Sequence, residues 1–267
     1  MWKFRVDADA KQFEDDLSMP SHYQLIDDYV LQDGKKHPFS IVVPGGSYRC
    51  VANFIEGKPI AQKLNQKGIS TFILYYRTNE QARYPAPMDD LARSIVEIFD
   101  NSDKYSLDTT NYSIWGSSAG GHLAASFGTE HMGFLKYKLM KPRALVLSYP
   151  VITMDKKFTH RLSHDLLLGH DATAEFENFA SIEKNVTKKF PPTYVWCGDA
   201  DTVVNPENSR MLARELQAAG VPVKIEVFPK VVHGVGPGTG TAAEGWIDKA
   251  IDFWMSQKVD IYYNDIN

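Results

Sequence analysis

The sequence has 267 residues, of which 43% are hydrophobic and 23% are charged, as is usual for a soluble globular protein. Its 29 basic and 33 acidic side chains give a formal net charge of −4, which provides no electrostatic attraction toward nucleic acid or an anionic membrane surface. No apolar run approaches the ~20 residues of a membrane span, and the start, M-W-K-F-R-V-D-A-D-A, lacks the apolar segment of a secretory signal, so we expect a cytoplasmic protein.

Short strand-like runs alternate along the chain with longer amphipathic stretches. This alternation predicts an α/β fold, with a mostly parallel sheet and helices on both faces. The first two runs, 23–31 and 38–44, flank the turn-rich Q-D-G-K-K-H and predict a β-hairpin. Further strands are predicted at 70–76, 111–115, 144–149, 193–197 and 223–228. Helices are predicted at 55–68, 88–99, 121–128, 206–220 and 242–255.

The pentapeptide Gly116-Ser117-Ser118-Ala119-Gly120 stands between a predicted strand and a predicted helix. A sharp strand-to-helix turn can expose one side chain, provided that the residues two before and two after it are nearly free of side chain. Ser118 has glycine at both places. Ser117 has Trp115 two residues before it, and this large side chain does not meet the requirement. The spacing therefore predicts Ser118 as an exposed nucleophile; the alternative is a small-residue turn that lets the strand and helix pack closely.

A serine hydroxyl is a poor nucleophile until a base takes its proton, and the base is oriented by an acid. Of the eight histidines, only His233 lies in a loop directly after the last predicted strand. Asp199 and Asp201 both follow the strand 193–197. Asp201 has the longer reach toward an imidazole, and Asp199 suits a turn. We therefore predict Ser118, Asp201 and His233 as a catalytic triad.

An acyl transfer of this kind also needs hydrogen-bond donors for the oxyanion of its intermediate. The backbone N–H of Ala119 directly follows the nucleophile at a helix N-terminus. The loop P-G-G-S-Y-R (44–49) follows a predicted strand, and its glycines allow the backbone to approach a substrate closely. We expect the N–H groups of Gly46, Ser47 and Ala119 to form the oxyanion hole.

Four motifs follow one another along the chain. The first is the glycine loop P-G-G-S-Y, and the second is the strand exit Y-Y-R…Y-P-A-P-M-D-D-L. The third is the serine turn G-S-S-A-G-G-H-L-A-A, and the fourth holds the acid and the histidine, G-D-A-D-T-V-V…V-V-H-G. Together they resemble the α/β-hydrolases, in the esterase/lipase group related to hormone-sensitive lipase, and are most similar to its acetyl-esterase and acetyl-xylan-esterase-like branch. The similarity covers about residues 38–256. The chain departs from the H-G-G-G motif of the lipase branch, because Pro44 stands for the histidine and Ser47 for the last glycine.

The resemblance implies an α/β-hydrolase fold without a large cap domain, as a single domain over 1–267 in which the excursion 151–190 lines the pocket. It implies a cofactor-free serine carboxylester hydrolase for short-chain, above all acetyl, esters of sugars or xylo-oligosaccharides. Two alternatives stay open: a peptidase or other ester or amide hydrolase, and a non-catalytic binding protein of the same fold. The expected partner is a small-molecule ester, with no nucleic acid and no membrane, and a homo-oligomer is left open.

Three residues are the candidates for the substrate pocket: Tyr48, Tyr149 and His160. His160, His164 and His170 are clustered, and the first two have the i, i+4 spacing that can bind zinc on a helix. No cysteine joins them, so contact with the leaving alcohol or plain packing is the preferred interpretation, and no metal is predicted.

Overall fold

The computed structural model describes residues 25–258. Its strands are β1 (Leu25–Tyr29), β2 (His37–Val43), β3 (Ser70–Tyr75), β4 (Leu107–Ser117), β5 (Ala144–Ser148), β6 (Thr193–Gly198) and β7 (Val223–Phe228). Its α-helices are α1 (Lys58–Gln66), α2 (Ala86–Asp100), α3 (Ser118–Gly128), α4 (Arg161–Leu167), α5 (Ala174–Ala180), α6 (Glu207–Ala218) and α7 (Trp246–Ser256). A π-helical turn (Asn53–Gly57) leads into α1, and 3₁₀ turns lie at Asn79–Gln81 and Ile182–Asn185.

The seven strands form one sheet in the order β1-β3-β2-β4-β5-β6-β7. Every neighbouring pair from β3 to β7 is parallel, and β1 is antiparallel to β3. Parallel strands present their carboxyl ends at the same edge of a sheet, and ligands bind in the crevice outside this edge. The loops that follow β2, β4, β6 and β7 carry the predicted site residues, so the topology brings these loops together.

The predicted hairpin is wrong, because β3 lies between β1 and β2. In β1, Leu25 pairs with Tyr75 and Tyr29 with Thr71, in antiparallel register. Positions 23 and 24 of the expected hairpin lie outside the described residues. A turn signal predicts only that the chain reverses and does not say which strand becomes the neighbour. Residues 39–43 are all buried, as a central strand with parallel neighbours on both sides requires.

The two faces of the sheet are covered by different helices. Along β2, Ile41 and Val43 belong to one buried cluster and Val42 to the other, as the two-residue period of a strand requires. The first cluster takes apolar side chains from α2, α3 and α6: Leu91, Ile95, Leu123, Leu212 and Leu216. The second takes them from α1 and α7: Ile60, Leu64, Trp246, Ile247 and Trp254. The prediction of a mostly parallel sheet with helices on both faces is confirmed.

The excursion 151–190 folds into short helices and loops, as its composition predicts. It contributes α4, α5 and the 3₁₀ turn Ile182–Asn185 between β5 and β6. Elsewhere, β4 begins at Leu107, four residues earlier than predicted, and the final helix begins at Trp246, four residues later than predicted. Within residues 25–258, the helices are too short or too polar to cross a membrane.

Candidate active site

Ser118 is the first residue of α3 and follows directly on β4, in a left-handed backbone conformation with φ of +52°. Such a conformation costs a non-glycine residue roughly 1–2 kcal/mol. A Cβ atom at Gly116 would lie 2.4 Å from the carbonyl oxygen of Gly120 and 2.7 Å from the Cβ of Ala124. A Cβ atom at Gly120 would lie 2.1 Å from the carbonyl oxygen of Val43. The glycine spacing around Ser118 therefore has a steric cause.

A continuous chain of hydrogen bonds joins Ser118, His233 and Asp201. The Nε2 atom of His233 lies 2.9 Å from the Oγ of Ser118, and its Nδ1 atom lies 2.7 Å from the Oδ2 of Asp201. The second carboxylate oxygen, Oδ1, accepts the backbone N–H groups of Val203 and Val204, each at 2.9 Å. An ionised Asp201 accepts from Nδ1–H, so Nε2 is left to accept the hydroxyl proton of the serine.

Asp199 has a different task from Asp201. Its carboxylate accepts the backbone N–H of Lys230 at 2.6 Å, and its own N–H donates to the carbonyl of Phe228. These bonds join the loops after β6 and β7. Asp199 thus shapes the turn beside the site, which is the usual role of an aspartate after a strand.

The loop after β2 packs directly on the serine. Gly46, Ser47 and Tyr48 are three consecutive residues with positive φ, of +120°, +62° and +59°. A Cβ atom at Gly46 would lie 2.2 Å from the carbonyl oxygen of Cys50, so only glycine fits there. No hydrogen bond between described residues takes the backbone N–H of Gly46 or Ser47. Both groups therefore remain donors for a ligand, and the backbone N–H of Ala119 follows Ser118 in the first turn of α3.

The structure also places a residue in the site that no sequence pattern indicated. Glu56 is buried, and its Oε2 accepts the backbone N–H of Gly45 at 2.7 Å. It is also hydrogen-bonded to the hydroxyl of Tyr149. Burial raises the pKa of Glu56, and the two hydrogen bonds and the nearby His233 act in the opposite direction. In the sequence, Glu56 is one acidic residue near a helix start, where acidic residues are common.

Tyr149, one of the three pocket candidates, lies beneath the histidine. Only 1% of the residue is exposed, and its ring packs edge-on against His233 and Trp196, with centroids 4.7 Å and 4.9 Å apart. Its hydroxyl accepts the backbone N–H of Gly236 at 3.1 Å. Gly236 lies in the loop after β7 that carries His233, which we call the histidine loop. Tyr149 thus supports His233 from the core side and is not an open pocket wall, which corrects that expectation.

The expectation for Tyr48 is also corrected. Its side chain is fully buried, and its hydroxyl lies 2.8 Å from the Nδ1 of His122, whose Nε2 lies 2.9 Å from the carbonyl of Ala180. Burial lowers the pKa of His122 to about 4, so the neutral ring donates to Ala180 and accepts from Tyr48. Side-chain direction in this loop follows from its left-handed backbone, which the sequence pattern does not indicate.

His160 is the one of the three pocket candidates that is not buried. It is partly exposed at the start of α4, and its Nδ1 is 2.9 Å from the hydroxyl of Ser163. Burial lowers its pKa; the charge of His233 also lowers it, and that of Asp201 raises it. His160 is thus coupled electrostatically to both of these residues of the hydrogen-bond chain.

The other two histidines of the cluster are bound to carboxylates. His164 is buried between Asp165 at 2.8 Å and Glu177 at 3.0 Å, and His170 lies 3.0 Å from Asp165. In the part of the chain that the structure describes, no three His, Cys, Asp or Glu side chains are grouped to hold a metal ion. The zinc interpretation of the i, i+4 spacing therefore has no support from this arrangement.

A model of the BD-FAE family matches residues 27–216, which include the loop after β2, Ser118 and Asp201. The chain belongs to the BD-FAE family. This is an esterase family of the α/β-hydrolase fold, so the resemblance seen in the sequence motifs is confirmed. His233 lies beyond the matched stretch, and only the tertiary structure joins it to the other residues of the site.

Three known proteins illustrate the relationship. The chain is 33% identical to an endo-1,4-beta-xylanase B of Butyrivibrio fibrisolvens over 82% of its length, and 26% identical to an acetylxylan esterase of Xylanibacter ruminicola over 86%. It spans 35% and 47% of the lengths of these two proteins. The crystal structure of an acetyl ester-xyloside bifunctional hydrolase from Caldicellulosiruptor lactoaceticus is 32% identical, with a TM-score of 0.76, and the match covers 86% of this chain and 85% of that one.

Proposed function

We propose that this protein is a serine carboxylester hydrolase, with Ser118 as nucleophile, His233 as general base and acid, and Asp201 as the acid that orients the imidazole. The observation that carries the proposal is the hydrogen-bond chain from Oγ to Nε2, at 2.9 Å, and from Nδ1 to Oδ2, at 2.7 Å. A serine and base at this separation are within reach for proton transfer. Membership of an esterase family supports the same conclusion.

The reaction has two halves. The Oγ of Ser118 attacks the ester carbonyl carbon while Nε2 of His233 takes its proton, and the carbonyl oxygen becomes an oxyanion that accepts from the N–H groups of Gly46, Ser47 and Ala119. The intermediate then expels the alcohol, which takes the proton from His233, and an acyl-serine remains. Water attacks this ester with His233 again as base, and the carboxylic acid leaves as the serine hydroxyl is restored.

We further propose that the acyl group is short, above all acetyl, and that the alcohol is a sugar such as a xylo-oligosaccharide. Two similar proteins, an acetylxylan esterase and an acetyl ester-xyloside bifunctional hydrolase, support this substrate class. We assign to His160 the role of binding the alcohol part of the substrate. Its Nδ1 is occupied by Ser163, so Nε2–H is the atom available to donate to a sugar oxygen.

Labelling with a fluorophosphonate tests the nucleophile. We expect a single adduct on Ser118, an adduct that persists in Ser117→Ala, and none in Ser118→Ala. A folded wild-type protein that forms no adduct would overturn the proposal in favour of a non-catalytic binding protein.

A substrate panel tests the reaction class and the acyl group. We expect turnover of nitrophenyl acetate and butyrate to exceed that of the octanoate, and acetate to be released from acetylated xylo-oligosaccharides. His160→Phe should raise KM for the oligosaccharide and leave KM for nitrophenyl acetate within about twofold, since only the sugar would use the Nε2 donor. Cleavage of aminoacyl nitroanilides without ester turnover would identify a peptidase instead.

A further inference from the structure

A carboxylate outside the proposed triad lies between the two loops that carry the chemistry. Glu56 is only 4% exposed. Among the basic side chains of the described residues, His233 lowers the pKa of this carboxyl, and no lysine or arginine contributes. A buried carboxylate is costly unless its oxygens are satisfied, so its contacts should indicate what it does.

The first contact is with the loop 44–49 after β2, which carries the proposed donors Gly46 and Ser47 and which we call the oxyanion loop. Oε2 of Glu56 accepts the backbone N–H of Gly45 at 2.7 Å. Gly45 lies against the nucleophile, because a Cβ atom there would be 2.7 Å from the Cβ of Ser118 and 2.6 Å from Oε2. The bond therefore holds the chain directly before the proposed donors Gly46 and Ser47. This bond is roughly twice as strong when the carboxyl is ionised as when it is neutral.

The second contact is with the histidine loop, through Tyr149. The Tyr149 hydroxyl accepts the backbone N–H of Gly236 at 3.1 Å and is also hydrogen-bonded to the Ser117 hydroxyl. Its own proton is then available to Glu56, with which it shares a hydrogen bond. The ring of the same tyrosine packs edge-on against His233, at 4.7 Å between centroids.

We infer that Glu56 is a positioning residue that holds the oxyanion loop through Gly45 and the catalytic histidine through Tyr149, and whose negative charge stabilises the His233 imidazolium. This inference rests on the proposed serine-hydrolase function. In each half-reaction the imidazole gains a proton. The carboxylate of Glu56, in addition to that of Asp201, lowers the free energy of the charged imidazolium.

Among the described residues, two tyrosines and one further histidine act on this pair besides Asp201. Tyr149 and Tyr76 face Glu56, and burial raises the pKa of both, so both are neutral in any working range of pH. His160 faces His233, and burial lowers the pKa of His160. Asp201 bonds to the imidazole at 2.7 Å, and the inferred charge of Glu56 adds a second negative charge that acts on it. Without the charge of Glu56, the base should lose its proton more readily.

Glu56→Gln removes the charge and keeps the shape. We expect kcat for nitrophenyl acetate to fall roughly 10- to 100-fold, as a misplaced catalytic group does, with KM within about threefold. The acid limb of kcat/KM, which reports protonation of the base, should move to lower pH. Glu56→Asp, which restores the charge on a shorter side chain, should return the acid limb toward its wild-type position.

The matched control is Glu226→Gln. Glu226 accepts the hydroxyl of buried Tyr194 at 2.6 Å, so it is a second glutamate–tyrosine pair, and its strand position lies outside the loops of the site. This variant should leave kcat and the pH profile unchanged. If Glu56→Gln does not fold, Tyr149→Phe keeps the ring against His233 and removes the proton donor to Glu56. An unchanged kcat in Tyr149→Phe would then overturn the inference.

Two results with a folded Glu56→Gln would overturn the positioning role. One is wild-type kcat with a wild-type pH profile. The other is a lower kcat with an unmoved acid limb, which identifies a purely structural glutamate. A wild-type protein without fluorophosphonate adduct or ester turnover would instead overturn the serine-hydrolase function itself, so the two failures are distinguishable.

Discussion

The ring of Tyr149 meets the imidazole of His233 edge-on, with centroids 4.7 Å apart and planes at 62°. Tyr149 belongs to the chain just after β5, whereas His233 follows β7, so the contact joins two loops at the carboxyl edge of the sheet. Because the Tyr149 hydroxyl also holds Gly236, the histidine loop is fixed at two places by one side chain.

Loss of this ring should therefore slow turnover. Edge-on aromatic contacts contribute about 0.5–1.5 kcal/mol, and an imidazole that loses its support spends less time in reach of the serine. We expect Tyr149→Leu to lower kcat by about tenfold or more for nitrophenyl acetate. Tyr105→Leu, which removes a comparable contact with Phe72 at 5.4 Å, should leave kcat unchanged. Equal kcat values for the two variants would contradict this role.

Asp201→Asn tests the acid of the hydrogen-bond chain. The amide of asparagine can donate to Nδ1, which would favour the tautomer whose Nε2 carries a proton and cannot accept from Ser118. We expect kcat to fall roughly 10³- to 10⁴-fold, with the protein still folded. Asp199→Asn is the control, because Asp199 bonds to the backbone of Lys230, and its kcat should stay near that of the wild type. A comparable fall in both variants would reject the assignment.

Gly120→Ala tests the steric cause of the glycine spacing. The new Cβ would meet backbone oxygens of Val43 and Pro44 at 2.1 Å and 2.3 Å, and a backbone neighbour cannot move aside cheaply. We expect the free energy of unfolding to fall by about 3 kcal/mol or more. Gly240→Ala has nothing within 4 Å of the new Cβ, so it should lose only the left-handed strain of about 1–2 kcal/mol. Urea unfolding of both variants measures the difference, and equal losses would contradict the steric account.

The buried His122 should make stability depend on pH. Burial lowers its pKa from 6.5 to about 4, so between these values the unfolded chain binds a proton that the folded chain excludes. The free energy of unfolding should therefore rise with pH from about 4 to 6.5 and level off above, and this group contributes on the order of 3 kcal/mol.

Urea unfolding at pH 5 and pH 7 measures this contribution. His122→Gln should flatten the pH dependence. The control is His131→Gln, since His131 also bonds a backbone carbonyl, that of Phe179, at 2.9 Å but is only partly buried. It should keep the wild-type slope. A slope retained in His122→Gln would show that other groups cause it.

Local rules made much of the candidate site predictable. A strand-to-helix turn with an exposed side chain has steric requirements within five residues, so glycine at 116 and 120 selected Ser118 over Ser117. Serine, acid and histidine stand in this order in the loops after β4, β6 and β7, so Asp201 and His233 could be predicted from chain position and family resemblance. The structure brings these three residues into one hydrogen-bond chain.

The sequence by itself determined the alternation of strands and helices, the glycine spacing and the residue types of the reacting groups, because these depend on neighbours a few residues apart. Only the tertiary structure decided that β3 separates β1 from β2, that Tyr48 turns into the core toward His122, and that Glu56 reaches both Gly45 and Tyr149. Strand neighbours and side-chain directions depend on contacts between residues far apart in the chain. Glu56 meets Tyr149 across 93 positions, and no pattern along the sequence records such a pair.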